Sequence, residues 1–153
     1  MNKFFILLLI LLTSCNSDIA TSNIEEIIHN PEITIIEENN EIYIILFDYP
    51  NISGFQFDLS LSENLEILFL KAFSGLSELY NFHIASSLLN LRVLSFSLTE
   101  EAIPYESENS NILIKLQIDY NGSGEVGLDN VILSGENGAE IEVLTSPNTI
   151  SLP

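Results

Sequence analysis

Phe55-Gln56-Phe57-Asp58-Leu59-Ser60-Leu61 is the stretch that decides the fold class. Along an extended chain Phe55, Phe57, Leu59 and Leu61 fall on one side and Gln56, Asp58 and Ser60 on the other, the period-two pattern of a strand with one buried face. Asn111–Asp119 repeats the device, with Ile112, Ile114, Leu116 and Ile118 alternating against Leu113, Lys115, Gln117 and Asp119. Two such strands can close their apolar faces on each other as the core of a sandwich.

On either side, short apolar runs are broken by turn chemistry every ~8–12 residues, the spacing of a sandwich or barrel. The pattern predicts strands over Ile33–Glu37, Glu41–Asp48, Ile52–Leu61, Leu65–Lys71, Glu78–Ile84, Leu89–Leu98, Asn111–Asp119, Gly124–Leu128, Asn130–Ser134, Ala139–Val143 and Thr149–Leu152. The breaks carry Asn39-Asn40, Pro50-Asn51, Gly122-Ser123-Gly124 and Gly135-Glu136-Asn137-Gly138, residues that tolerate tight turns. Helical periodicity is scarce, so the class is all-β and a two-sheet sandwich is expected.

The amino terminus is of a different kind. Lys3 precedes an unbroken apolar run from Phe4 to Leu12, the pattern of a signal-peptide core. As a helix that run reaches roughly 14 Å, about half of a bilayer's hydrocarbon thickness, so a cleaved leader is the better reading than a membrane span. Leu12-Thr13-Ser14-Cys15 resembles the lipobox of bacterial lipoproteins, in which the cysteine receives lipid. Cys15 is the only cysteine and has no partner for an internal disulfide, which lipidation would explain. Acyl chains at about 0.8 kcal/mol per buried methylene would anchor the exported protein to the cell membrane or outer membrane.

These readings divide the chain into a leader at 1–14, a lipidated Cys15 with a polar tether at 15–31, and one domain at 32–153. Removing residues 1–14 from the 153 leaves 139, enough for one domain with a genuine core. Only Lys71, Arg92 and Lys115 then oppose the 22 acidic residues, a formal charge of 3 − 22 = −19. Such a surface repels phosphate backbones, which excludes nucleic acid, and suits neutral polysaccharide, cations or a basic protein patch. Solubility alone is a sufficient reason for the acidity.

Taken with their order along the chain, Asn51-Ile52-Ser53-Gly54-Phe55-Gln56-Phe57-Asp58-Leu59-Ser60 and Leu65-Glu66-Ile67-Leu68 resemble the third and fourth strands of bacterial cohesin-type domains. The resemblance continues through Leu91–Leu98, Ile112–Leu116, Val131–Ser134 and Asn137–Ile141, and covers about residues 32–152. It implies a cohesin-like jelly-roll β-sandwich. It also implies a partner of dockerin type, a small module built around paired calcium loops and usually carried by enzymes of polysaccharide degradation. The contact positions that the resemblance implies on the third strand match Gly54 and Gln56; the outward face of the same strand adds Asp58 and Ser60, and Arg92, a lone cation among acids, is either a further contact or a residue at the core edge. The sequence departs from the family at Gly54, which offers no side chain where polar contacts are common, and at Ser62-Glu63-Asn64, which replaces the usual Asp-Pro turn.

Catalysis finds little support. His29 falls in the tether and His83 in an expected strand, and neither sits beside a nucleophile motif. Among 22 acidic residues some pair will meet glycosidase spacing by chance, and Glu100-Glu101 and Glu106-Ser107-Glu108 read as a solvated loop. Asp129-Asn130 and Glu136-Asn137 lack the dense oxygen spacing of calcium loops, so neither a metal nor a cofactor is expected. The second functional reading is a carbohydrate-binding module using Tyr49 and Tyr105, loop tyrosines that each adjoin a proline. A third is a structural envelope lipoprotein without a discrete site.

Overall fold

The computed structural model describes residues 29–105, 111–145 and 149–153. The leader, Cys15, the tether as far as residue 28 and the Glu106-Ser107-Glu108 loop lie outside the described residues. Eleven strands and one short helix follow in the order β1 (Glu32–Glu38), β2 (Glu41–Phe47), β3 (Gly54–Leu61), β4 (Leu65–Phe73), α1 (Gly75–Leu79), β5 (His83–Ser87), β6 (Arg92–Phe96), β7 (Ile112–Gly122), β8 (Gly124–Ser134), β9 (Glu140–Ile141), β10 (Leu144–Thr145) and β11 (Ile150–Leu152).

They form the expected two-sheet sandwich. One sheet runs β10-β1-β2-β7-β4 and the other β11-β8-β3-β6-β5, with β9 paired to β8. The pairings are antiparallel except β1 with β10. Alternation dictates the packing: Phe55, Phe57 and Leu59 of β3 point inward, as do Val93 of β6, Ile33 and Ile35 of β1, and Ile44 and Leu46 of β2, all of them buried. Each such side chain withdrawn from water contributes about 1.5–3 kcal/mol, so the inter-sheet layer is the main source of stability.

Local chemistry sets the turns. Asn39 and Asn40 sit at φ of 55° and 62°, the left-handed pair that lets a two-residue hairpin follow the twist of β1 and β2. Gly122 has φ of 88°, and a Cβ there would lie 1.9 Å from the Asn64 carbonyl oxygen, so only glycine closes β7 onto β8 beside β4.

The structure corrects the sequence reading in four places. The expected strand Glu78–Ile84 begins instead as α1, because Ser74 and Gly75 take positive φ and turn the chain. Ser77 then donates to the Leu113 carbonyl and Leu76 is buried, and the strand starts only at His83. The expected strand Leu89–Leu98 shortens to Arg92–Phe96, since Leu91 has φ of 51° and Leu89, 91% exposed, lies at the hairpin tip. Gly124–Leu128 and Asn130–Ser134 join into one β8, which takes a register shift opposite Gln56 and Asp58. The expected strand Ala139–Val143 shortens to β9, Glu140–Ile141.

Candidate functional site

The outer face of the second sheet is built by the alternation that builds the core. Register places three rows of outward residues across β5, β6, β3 and β8. They are His83, Phe96, Gly54 and Ser134; Ala85, Leu94, Gln56 and Ile132; and Ser87, Arg92, Asp58 and Asp129. With strands about 4.8 Å apart and rows about 6.8 Å apart, the patch measures roughly 14 Å on a side.

The first row is flattened by Gly54. A Cβ there would meet Ser134 Oγ at 2.9 Å and the Ser95 carbonyl at 3.2 Å, so crowding by β8 and β6 is what removes a side chain from this position. Beside it the His83 and Phe96 rings meet edge to face with centroids 5.3 Å apart. In the middle row Gln56 is half-buried between Leu94, 37% exposed, and Ile132, 44% exposed. Two aliphatic side chains thus flank one amide at the centre.

The third row is an ionic clasp. Arg92 Nε donates to Asp58 Oδ1 at 2.6 Å and Arg92 Nη2 to Oδ2 at 2.8 Å, a two-pronged pair between neighbouring strands. Asn130 Nδ2 adds a third donor to Asp58 Oδ2 at 3.0 Å. The Arg92 guanidinium holds the Asp58 carboxyl below the ordinary aspartate range, helped by the Asn130 amide and opposed by desolvation, and Asp58 in turn raises Arg92. Planar charge-assisted pairs of this type fix geometry as well as charge. The clasp makes the face nearly neutral: its outward residues include one arginine and two aspartates, in a chain of formal charge −18.

Of the residues singled out from sequence, Gly54, Gln56, Asp58 and Arg92 share this face. Ser60 is outward too, but it pairs with Gly127 beyond the end of β6 and stands off the four-strand patch. Sequence reasoning missed Leu94, Ile132 and Asn130. The first was legible, since Arg92, Leu94 and Phe96 alternate with Val93 and Ser95. Asn130 was not, because its φ of 48° and the shifted register of β8 turn its amide toward Asp58.

The tyrosine pair separates. Tyr49 is 2% exposed and cannot stack on a sugar, which removes it from the carbohydrate reading; Tyr105 is 49% exposed, its ring edge-on to Tyr49 at 5.9 Å. His83 is a strand residue packed on Phe96. Asp129 Oδ1 accepts the Asn130 amide at 2.8 Å, and the turn after β8 carries Asn137 at φ of 60° on the way to β9. Among the described residues no group of three or more His, Cys, Asp or Glu side chains is placed to hold a metal ion.

No protein-family model matches the chain, and no curated protein matches it. Solved structures do. One is a cohesin from a type I cohesin–dockerin complex of Clostridium thermocellum, with TM-score 0.55 and 10% identity, covering 81% of this chain and 94% of that one. Another is the third ScaB cohesin of R. flavefaciens in complex with a group 1 dockerin, with TM-score 0.55 and 12% identity, covering 80% of this chain and 94% of that one. At such identity the likeness speaks to the fold alone, and on that ground the chain is a cohesin-like β-sandwich.

Proposed function

We propose that this chain is a non-catalytic docking module of the cell envelope, lipid-anchored through Cys15, whose outer β8-β3-β6-β5 face receives a protein partner of dockerin type. The observation that carries the reading is the near-neutral, flat patch centred on Leu94, Gln56 and Ile132 in a strongly acidic protein. Interface centres are depleted of charge and ringed by polar groups, and this face has that composition. The two cohesins of like fold were solved with dockerins bound, which supports the choice of partner. An apolar partner side chain would seat between Leu94 and Ile132, with Gln56 and the Arg92–Asp58 clasp supplying directional hydrogen bonds. The acidic surroundings would steer a partner with a basic rim. The reading assigns no catalytic group, and a place in polysaccharide degradation follows from the kind of enzyme that carries such partners.

The test is capture by the soluble chain, beginning at Asn16, from secreted proteins of the source organism with calcium and then with chelator. Calcium-dependent capture of a protein containing paired calcium loops supports the reading. Capture indifferent to chelator, or no capture, overturns it. The anchor is tested separately: labelled palmitate enters the full chain and leaves Cys15→Ser unlabelled, and equal labelling refutes lipidation at Cys15.

A further inference from the structure

We propose a second, independent site at one end of the sandwich, a cleft that takes a neutral sugar ring against Tyr105. The cleft has a volume of about 460 Å³ and is lined by His29, Pro50, Asn51, Tyr105, Glu136 and Ile141. It is a shallow, open depression, which suits one sugar ring laid against an aromatic side chain and not an enclosed small molecule. Its residues come from five separate stretches of chain, none of them on the outward rows of the docking face.

Tyr105 is the platform. Half of it is exposed, and what is covered is held on two sides, by the edge of buried Tyr49 at 5.9 Å and by the His29 ring at 5.3 Å. His29 is itself fixed, its Nδ1 3.1 Å from Asp48 Oδ1. The backbone leading to Tyr105 is tied down by a bridge between two fully buried residues: Ile52 donates to the Ile103 carbonyl at 3.1 Å and Ile103 to the Ile52 carbonyl at 2.7 Å. An aromatic ring held this way loses little freedom on binding, and its electron-rich face attracts the C–H bonds on the apolar side of a pyranose.

The polar wall completes the site. Asn51 Nδ2 donates to Glu136 Oε1 at 3.2 Å, which sets an amide beside a carboxylate. The turn carrying Glu136 is closed by Gly135 donating to the Ala139 carbonyl at 2.7 Å and Ala139 to the Glu136 carbonyl at 3.3 Å. A carboxylate accepts from one hydroxyl while a neighbouring amide can donate to and accept from the next, so the pair reads adjacent hydroxyls on one ring. A formal charge of −18, with Glu136 in the wall, selects neutral sugars over uronic acids or sulfated chains.

The experiment titrates the soluble chain from Asn16 with cellobiose, maltose and diacetylchitobiose, and with digalacturonate as the anionic control, following amide and tyrosine resonances. A single ring contact gives millimolar affinity, so titration to about 20 mM covers the range. Saturable shifts at His29, Asn51, Tyr105 and Glu136 with at least one neutral disaccharide are expected. Tyr105→Ala should weaken binding by about tenfold or more while the chain stays folded with a somewhat lower unfolding midpoint, and Tyr105→Phe, which keeps the ring packing, should retain both binding and midpoint; Glu136→Gln should weaken binding. Leu94→Asp, on the docking face, should leave sugar binding intact, so failure of one site is distinguishable from failure of the other. No saturable shift with any neutral disaccharide, equal binding of digalacturonate, or full binding by Tyr105→Ala overturns the proposal.

Discussion

The two sheets bury their inner faces by the same rule but finish their outer faces differently. On the first sheet the outward row Ile36, Tyr43, Lys115 and Phe73 is laced with ions: Lys115 lies 3.3 Å from Glu41 and 5.0 Å above the Tyr43 ring, and Lys71 lies 5.8 Å above Phe73. Both lysines of the domain are therefore occupied on this face, among Glu32, Glu38, Glu41, Glu66 and Asp119. On the second sheet the single arginine is spent on Asp58, and the centre of the face is left to Leu94, Gln56 and Ile132. A charged face stays solvated and a neutral one can be dehydrated at low cost, and this difference is what favours the second sheet in the docking reading proposed above.

Both outer faces rest on the core between the sheets. Phe57 is fully buried beneath the second sheet, its ring stacked with Phe55 at 6.2 Å. Phe57→Ala should cost about 4 kcal/mol in urea unfolding, within the usual range for a buried aromatic, and should abolish partner capture through loss of the fold. A loss under about 1 kcal/mol would mean that the sheets are not packed as described.

A charge introduced on one outer face should act differently from a charge on the other. Leu94→Asp places at the centre of the proposed docking surface a carboxylate that a partner would have to bury unpaired, and should weaken partner binding about 100-fold, near 2.7 kcal/mol, in a chain that remains folded. Phe69→Asp, at a residue 40% exposed on the first sheet, should leave binding within about twofold. Equal losses from both would transfer the partner to some other surface. Gly54→Val has a smaller effect and a mixed one. Its side chain would collide with Ser134 Oγ and the Ser95 carbonyl, so both stability, by about 2 kcal/mol, and binding should fall; a stable Gly54→Val that still binds would remove the crowding argument.

The same contrast explains what the sequence could reveal. The inward and outward sets of β3 were legible because Phe55–Leu61 keeps a period of two without interruption, whereas Leu113, which the same period placed opposite the core face in Asn111–Asp119, is fully buried where β7 shifts register against β2. Glu78–Ile84 misled because its alternation holds no record of Ser74 and Gly75 at positive φ, which redirect the chain into α1. Asp58 and Arg92 were each recognised as polar strand residues, yet their pairing depends on the register of β3 against β6, set by contacts far apart in sequence. Tyr49 and Tyr105 look alike beside their prolines. The fold separates them: Tyr49 is 2% exposed and Tyr105 49%. Loop sites assembled from distant segments leave no periodic trace, whereas sheet faces do.

The smallest expected effect is electrostatic and compares the ion pairs of the two faces directly. Asp58, 14% exposed at its side chain, is held below the ordinary value of 3.8 chiefly by Arg92. Its folded value is lower than its unfolded one, so the pair's contribution to stability is complete above the unfolded value. That contribution falls as the pH drops below about 3.8 and is gone once the pH passes the folded value. Asp58→Asn should therefore be less stable than the parent chain at pH 7, with the gap closing in acid below the ordinary aspartate value. Glu41 is lowered in the same direction, first by the Tyr43 hydroxyl and then by Lys115, but its side chain is 52% exposed and water and salt screen the pair. Glu41→Gln should open a smaller gap that shrinks further in high salt, while the Asp58→Asn gap should persist there. Urea midpoints for both variants across pH and salt give the answer. If the Asp58→Asn gap is flat with pH or vanishes in salt, the clasp is only a surface contact, and the near-neutrality of the docking face has lost its structural cause.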